Sequence, residues 1–405
     1  MSVGAQVMIS ATAKGTNNVL AARQKLDVSD RISLLDPNNN ALVKFIKDTP
    51  KEAARSFKFS WFEGRFEPTA LTLDTTALTA LGSAVTTFDV VSGEENYVQK
   101  GDVIMVPGTA GVSPNQWNEC LLVTGYSSGT VTVIRNFGLR TSAYDLSTIL
   151  VDTTCYIVGT VFEEGSAAAS PRAVKDVEKY NYTEIFKDAY EVTGTEQATD
   201  QYGPQDREKE RAKKALKHQR DIERAFIQGQ RKRDTTSGTH PINRTSGLMG
   251  FITSNISTAI GNINYSTLLT ILKTIFRYGD SQTRLALCGG TAMNALALMA
   301  DSKLNRFQSE EVYKVLIRKM ETSHGNLNCI HHKVLDDMGM GGSMIIVDLA
   351  TCTYKFLQGR DTTFEPNIQV TGQDTMKDQF MTECGMKMEL EEQSGLLEGI
   401  TGFAA

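Results

Sequence analysis

The most regular hydrophobic pattern lies in QDREKERAKKALKHQRDIERAFIQG, from Gln205 to Gly229. Its few apolar residues, Ala212, Ala215, Leu216, Ile222, Ala225 and Phe226, recur at helical spacing and predict one long helix over 205–228. Gly203-Pro204 puts proline at the first turn, where its missing N–H costs nothing. Asp206, Glu208 and Glu210 suit the positive end of the helix, and Glu210 with Lys214 forms an i,i+4 pair. Gly229 is the expected stop. At about 1.5 Å per residue the helix spans roughly 36 Å. A helix this long and this polar is not the centre of an ordinary enzyme core.

Ahead of it the pattern changes to a period of two. Phe57, Phe59 and Trp61 alternate with polar neighbours in SFKFSWFEGRFEP, as in a strand. From about Thr72 to Glu164, short runs such as DVIMVPG, NECLLVTGYSSGTVTVIRNFG and TTCYIVGTVFEEG predict an all-β module of about 90 residues. LLVTGYSSGTVTVI is a hairpin pattern. GSAAASPRA (165–173) closes the module, which is expected to be an insertion on two flexible roots. After the long helix, a Thr/Ser/Gly-rich loop (234–247) leads to an α/β pattern. YSTLLTILKTIFRYG is an amphipathic helix, RLALCGG a buried strand, and TAMNALALMADSK a helix starting at Thr291. NCIHHKVL and MIIVDLATCTYKFLQG are strand-like, and FMTECGMKMELEEQSGLLEGI is strand and turn. Residues 1–26 are small and polar and predict an extended or mobile arm. Asp36-Pro37-Asn38 is a turn signal, and 41–46 a short helical turn ending before Pro50.

Lys and Arg number 42 against 47 Asp and Glu, for a net charge of −5. That balance excludes a bulk polyanion binder and leaves only local basic patches. The cysteines, Cys120, Cys155, Cys288, Cys329, Cys352 and Cys384, are scattered without a C-x-x-C pair, so reduced, mostly buried thiols are expected. MSVGAQVMISATAKGTNNV has no apolar stretch behind basic residues, and no run approaches the roughly 18–20 apolar residues of a membrane span. A soluble chain without a classical export signal is predicted.

Chemistry is sparse. G-x-x-x-x-G-K-[ST], G-x-G-x-x-G and G-x-S-x-G are all missing from the sequence. Cys288-Gly289-Gly290-Thr291 joins a strand to a helix, where a phosphate could sit. A plain turn with Thr291 as helix cap accounts for it as well. His324, Cys329, His331 and His332 cluster, but at no common zinc spacing, and His331 and His332 fall on opposite strand faces. Asp336-Asp337, beside Gly339, Gly341 and Gly342, could pair on a metal; a solvated loop is the simpler account. Arg231-Lys232-Arg233 is a basic tip that could touch phosphate, although such runs are usually solvated surface. No catalytic, cofactor-binding or metal residues, no cofactor and no enzymatic activity are expected.

The order of parts resembles the major capsid proteins of tailed bacteriophages, a fold shared by encapsulins and the floor domain of herpesvirus capsids. DRISLLDPNNNALVKFI followed by FSWFEG resembles the arm of a family with a β-module in its extended loop. GDVIMV, ECLLVTGYSSGTVTVIRNFG and FEEGS resemble that module, with Phe137 departing from its Gly-rich pattern. NYTEIFKDAYEVTGTEQA and DIERAFIQG resemble the run into the spine helix.

The resemblance implies an α+β fold in named parts. These are an N-terminal arm (1–55) and an extended loop (56–180) with the β-module inserted at about 83–163. A peripheral domain (181–258 and 361–393) holds the spine helix 205–228, and an axial domain takes 259–360 and 394–405. It implies a structural virion protein, made in the host cytoplasm, that self-assembles into hexamers and pentamers of an icosahedral shell around double-stranded DNA. Partners would be further copies, a portal, a decoration protein, and DNA through non-specific contact, with no membrane. Only residues 1–26 precede the arm-like segment, too few for a packed scaffolding domain, so a separate scaffolding protein is expected. The stripe Ala212, Leu216, Ile222 and Phe226 would pack on the peripheral sheet. The helices of YSTLLTILKTIF and TAMNALALMA would sandwich the axial sheet. A second reading is a nucleic-acid-binding protein using the basic helix 207–233. The net charge and the β excursion favour the shell.

Overall fold

The computed structural model describes residues 51–74, 85–107, 119–127, 129–138, 151–166, 172–199, 206–302, 308–312 and 315–404. Residues 1–50 of the arm, with the turn at Asp36 and the helical turn at 41–46, and Gly203-Pro204 and the centre of GSAAASPRA lie outside the described residues. The chain divides into two compact units, Phe62–Glu178 and the remainder.

The smaller unit is built on one six-stranded antiparallel sheet. Its order is Ala70–Thr72, Thr154–Thr160, Asp102–Val106, Glu119–Ser127, Thr130–Ile134, Val85–Asp89. The first and last strands then meet. Leu73 bridges Val90, Asp74 N–H donates to Asp89 O at 3.0 Å and Val91 N–H to Thr72 O at 3.1 Å. The sheet is thereby closed into a small barrel with no open edge along this seam. Alternate residues point inward, and Leu71, Phe88, Ile104, Leu121, Val131 and Val133 fill the interior. The barrel starts ahead of the expected residue 83, because its first strand comes from 70–72.

Where they are described, the roots of this unit are tied by strand pairing and hydrogen bonds. Lys58–Glu63 and Val177–Tyr182 pair as a two-stranded ribbon. Arg172, at the end of the supposed linker, donates to Asp102 at 3.1 Å and to Tyr97 O at 2.9 Å. Asp102 is fully buried and also accepts from Thr160 at 2.7 Å. A buried carboxylate needs such partners, so Arg172 is held where the small-residue composition predicted freedom.

The larger unit contains two main sheets. One has five strands, ordered Lys51–Ala54, Cys352–Leu357, Thr375–Met388, Glu184–Thr193, with Thr363–Glu365 also on Thr375–Met388. The other has seven, ordered Ile256–Ser257, Gly395–Leu397, Met344–Val347, Thr283–Cys288, Asn326–His331, Val315–Glu321, Gln308–Val312. Helices Tyr265–Ile275 and Gly290–Ser302 do not sandwich this second sheet. Leu268, Leu272, Leu296 and Met299 join Ala286, Cys288, Cys329 and Ile346 in a single cluster on one face. The opposite face, with Leu285, Leu287, Ile330 and Ile345, meets Ile222, Phe226 and Ile227 of the long helix. Strand alternation alone cannot say which helix takes which face, and here the long helix takes the one left over.

The long helix runs Asp206–Gln228. Its apolar contact is confined to the C-terminal half. Ile222, Phe226 and Ile227 are fully buried, whereas Leu216 is half-buried and Ala212 exposed. The stripe expected from Ala212 onward therefore begins later. Gly229 ends the helix by close packing rather than by a left-handed turn. A Cβ there would sit 2.5 Å from Thr245 O, and one on Gly247 would sit 2.6 Å from Ala225 O.

Candidate functional site

The long helix is anchored through charged and imidazole side chains, of which His218 and Glu223 are buried. Arg207 grips Asp378 with both arms of its guanidinium, at 3.0 and 2.8 Å. Nearly three turns further on, Lys217 reaches Asp188. His218 bonds the other oxygen of Asp188 at 3.0 Å and Thr382 Oγ1 at 2.8 Å. Glu223 accepts from His332 Nε2 at 2.7 Å, with both side chains sealed from solvent. These three anchors tie the helix to strands Glu184–Thr193 and Thr375–Met388 and to the residue after Asn326–His331. Bidentate and charge-assisted bonds replace the missing apolar stripe along the N-terminal half. The sequence showed the helix and its polarity but not these ties, whose partners lie as far as 171 positions away.

Part of the remaining helix charge is paired within the helix. Lys213 pairs with Glu210 at 2.8 Å, so Glu210 takes the residue three along rather than Lys214. Asp221 receives Lys217 at 2.8 Å and Arg224 at 3.4 Å.

The candidate chemical residues prove to be occupied by structure. Gly290 N–H, at the start of its helix, donates to Asp336 Oδ1 at 2.6 Å. Thr291 lies inside the helix Gly290–Ser302, so it is not the cap, and the Asp336 carboxylate occupies the position a phosphate would take. Asp336 belongs to a short helix, Lys333–Asp337, not a solvated loop, and its other oxygen holds His331 at 2.7 Å. His331 and His332 do diverge, one to Asp336 and one to buried Glu223. Among the described residues no three His, Cys, Asp or Glu gather as a metal set. Cys120 is half-buried, the other five cysteines are buried, and none of the six forms a disulfide. Burial pushes the Cys155 and Cys352 thiols up to about 12, which leaves them unreactive at neutral pH.

Arg231-Lys232-Arg233 enters a short hairpin, Lys232–Asp234 paired with Ile242–Arg244. Its arginines lie on aromatic rings, Arg231 4.0 Å from the Tyr180 centroid and Arg233 4.5 Å from Phe57.

The molecule also exposes large apolar side chains. On the smaller unit Phe66 is 98% exposed, Phe62 72% and Val158 65%, with Phe162 and Val177 more than half exposed; on the larger unit Val370, Leu298, Ile242 and Ile185 are more than half exposed. Among the described residues no helix is long and apolar enough to cross a membrane.

Known proteins share this construction. The chain is 23% identical over 246 residues to the major capsid protein of Pseudomonas phage PaMx41, a match covering 56% of this chain and 57% of that one. The chain thus spans little more than half the length of that relative. Its fold is similar to the capsid subunit of cyanophage A-1(L), at 8% identity, with a TM-score of 0.50 over 96% of this chain and 99% of the other. The fold is that of the tailed-phage capsid subunit, mixed α and β with more strand than helix. The profile of the family described as SU10 major capsid protein matches residues 9–401, nearly the whole sequence, and the chain belongs to that family.

Proposed function

We propose that copies of this subunit close into hexamers and pentamers of an icosahedral shell, and that the shell encloses double-stranded DNA. The observation that carries this reading is the apolar surface of Phe62, Phe66, Val158, Phe162 and Val177. Scattered single apolar residues need no explanation, but several large ones within one small unit mark a surface made to be covered. In a shell subunit the cover is the next copy, and the covered area would supply association energy at about 25 cal/mol per Å². The five-stranded sheet supports the same reading. Its strand Glu184–Thr193 buries alternate residues against the helix, while Ile185, Lys187, Ala189, Glu191 and Thr193 remain exposed. A face that mixes polar and apolar residues, with the polar helix, is compatible with a wall that is wet on both sides.

In this scheme residues 1–55 act as the arm and 56–180 as the extended loop carrying the barrel. Segments 181–258 and 361–393 form the peripheral domain; 259–360 and 394–405 form the axial domain. A separate scaffolding protein, a portal and a decoration protein are the partners such a head would use. The subunit would be found in the virion, after synthesis in the host cytoplasm. The alternative use of the helix for nucleic-acid binding is disfavoured by the ion pairs that already engage Arg207, Lys213, Lys217 and Arg224.

Electron microscopy and sedimentation of the expressed chain test the proposal. Closed particles are expected from the wild type, and smaller oligomers from Phe66→Asp with Val158→Asp. A monomer at all concentrations, or unchanged particles in the double variant, would remove its support.

A further inference from the structure

Several cations along the helix are matched by carboxylates, as with Arg207 and Asp378 or Lys213 and Glu210, while Arg211 lies 4.0 Å from the Phe364 centroid. At the hairpin the aromatic seating is concentrated in one place. Arg231 lies over Tyr180 and donates to its carbonyl at 2.6 Å, and Lys58 sits 4.3 Å from the same ring. Tyr180 meets Tyr182 edge-on at 5.7 Å, Tyr182 stacks on Phe57 at 6.2 Å, and Arg233 caps Phe57. A π face fixes the position of a cation without neutralising it. Lys58, Arg231 and Arg233 all remain exposed.

The hairpin carries a second signal. Lys232 and Arg244 are directly opposed in its register. Like charges facing each other across an antiparallel pair weaken it. The nearby carboxylates relieve this only in part. Asp234 lies 3.8 Å from Lys232, but hydrogen bonds from Ser237 and Thr236 already engage it and hold it well below the usual carboxylate range. Glu184 feels Arg244, yet it accepts from Thr245 N–H and burial pushes its carboxyl up. The aromatic seating stabilises the cations where they lie, but the opposed pair is not explained by the stability of the isolated subunit.

We infer that this hairpin wall, with Lys58, Arg231, Lys232, Arg233 and Arg244, binds the phosphodiester backbone of duplex nucleic acid without reading its sequence. A guanidinium lying flat on a ring is oriented in advance and keeps N–H groups for phosphate oxygens. A phosphate between Lys232 and Arg244 would turn their repulsion into attraction. The inference rests on the shell reading only for the identity of the nucleic acid, the DNA inside. It also moves nucleic-acid contact from the helix 207–233 as a whole to the hairpin beyond its end.

The test uses the full chain, unassembled, with a random-sequence DNA duplex, and measures affinity at stepped salt concentrations. Replacing Arg231, Lys232 and Arg233 by Gln should lower the slope of log affinity against log salt by about 2–3, at roughly 0.9 per phosphate contact. Lys213→Gln with Lys214→Gln on the helix should leave the slope unchanged. Lys232→Gln or Arg244→Gln alone should raise the melting temperature without DNA while lowering the slope by about 1, a pairing of signs that damage to the fold would not produce. Particle formation is followed in parallel, so failure of the shell reading is seen separately as wild type that forms no shells. An unchanged salt slope in the triple and single variants would overturn the inference. So would loss of particles with unchanged DNA affinity, since the wall would then seat an acidic segment of another subunit.

Discussion

His332 Nε2 and Glu223 Oε1 meet at 2.7 Å with neither side chain exposed to water. Removing one member of such a pair strands the other in a medium that cannot solvate it. Glu223→Ala should destabilise the chain by about 3–5 kcal/mol, measured as a lowered urea midpoint. Glu223→Met combined with His332→Leu should recover most of the loss, because two apolar groups of similar size leave nothing unpaired. If the double variant is no better than Glu223→Ala, the pair contributes something other than mutual compensation.

The helix should be unequally sensitive along its length. Ile222→Asp places a charge where no water reaches and should abolish folded protein. Leu216→Asp, at a half-buried site, should give folded protein of reduced stability. Lys213→Glu should change stability by less than about 1 kcal/mol, since the Glu210 pair is exposed. Yield and thermal melts of the three variants decide this, and equal loss at 216 and 222 would mean that the N-terminal half is docked more deeply than it stands here.

Acid should loosen the polar anchors. Burial pushes the Asp188 carboxyl up, but bonds from Lys217 and His218 outweigh it and hold it below the ordinary 3.8. Asp378 is also held low, with Arg207 and the Asn367 N–H overcoming burial. A depressed carboxylate contributes stability that is full above its unfolded pKa and lost as pH falls through the folded value. Guanidinium melts should therefore be nearly constant down to about pH 5 and weaken below about pH 4, less steeply in Asp188→Asn. A gain in stability between pH 5 and pH 3 would contradict the assignment.

The barrel should fold without the rest. Residues 62–178 expressed alone should show one cooperative melt, because the interior is a single cluster and the seam is closed. The complementary excision should join Gly64 to Asp176, which already approach closely, and should leave a folded larger unit. Excising 83–163 instead would expose Leu71 and Leu73 on an orphaned strand, and aggregation is the expected result.

The long helix was legible because 23 consecutive residues carry a helical pattern free of breakers. The barrel strands were legible through alternation and the Ser-Ser-Gly turn. Closure of the barrel was not, since Leu73 and Val90 look like any other strand-end residues until the sheet has curled. The polar anchors escaped for a related reason. His218 and Glu223 match the surrounding charged residues in the sequence, and only Asp188, Thr382 and His332, supplied by distant strands, distinguish them from solvated ones. Gly229 was placed correctly as a stop but for another cause, the approach of Thr245. The apolar surface around Phe66 was invisible as a site because exposure is not encoded in residue type.

The five-stranded sheet begins with Lys51–Ala54 lying parallel to Cys352–Leu357, and Glu52 pairs with Lys355 across a separation of 303 positions. Contacts so distant are late in time as well as far in sequence, since loop closure must precede them. On the ribosome, at about 5–20 residues per second, that edge strand waits some tens of seconds for its partner. The barrel, complete once residue 160 has emerged, can be finished long before. Each new subunit would thus carry a folded barrel while its larger unit still lacks an edge. A surface that depends on the finished sheet cannot engage a neighbour during synthesis, whereas the apolar side chains of the barrel unit are in place long before the chain is nearly all made.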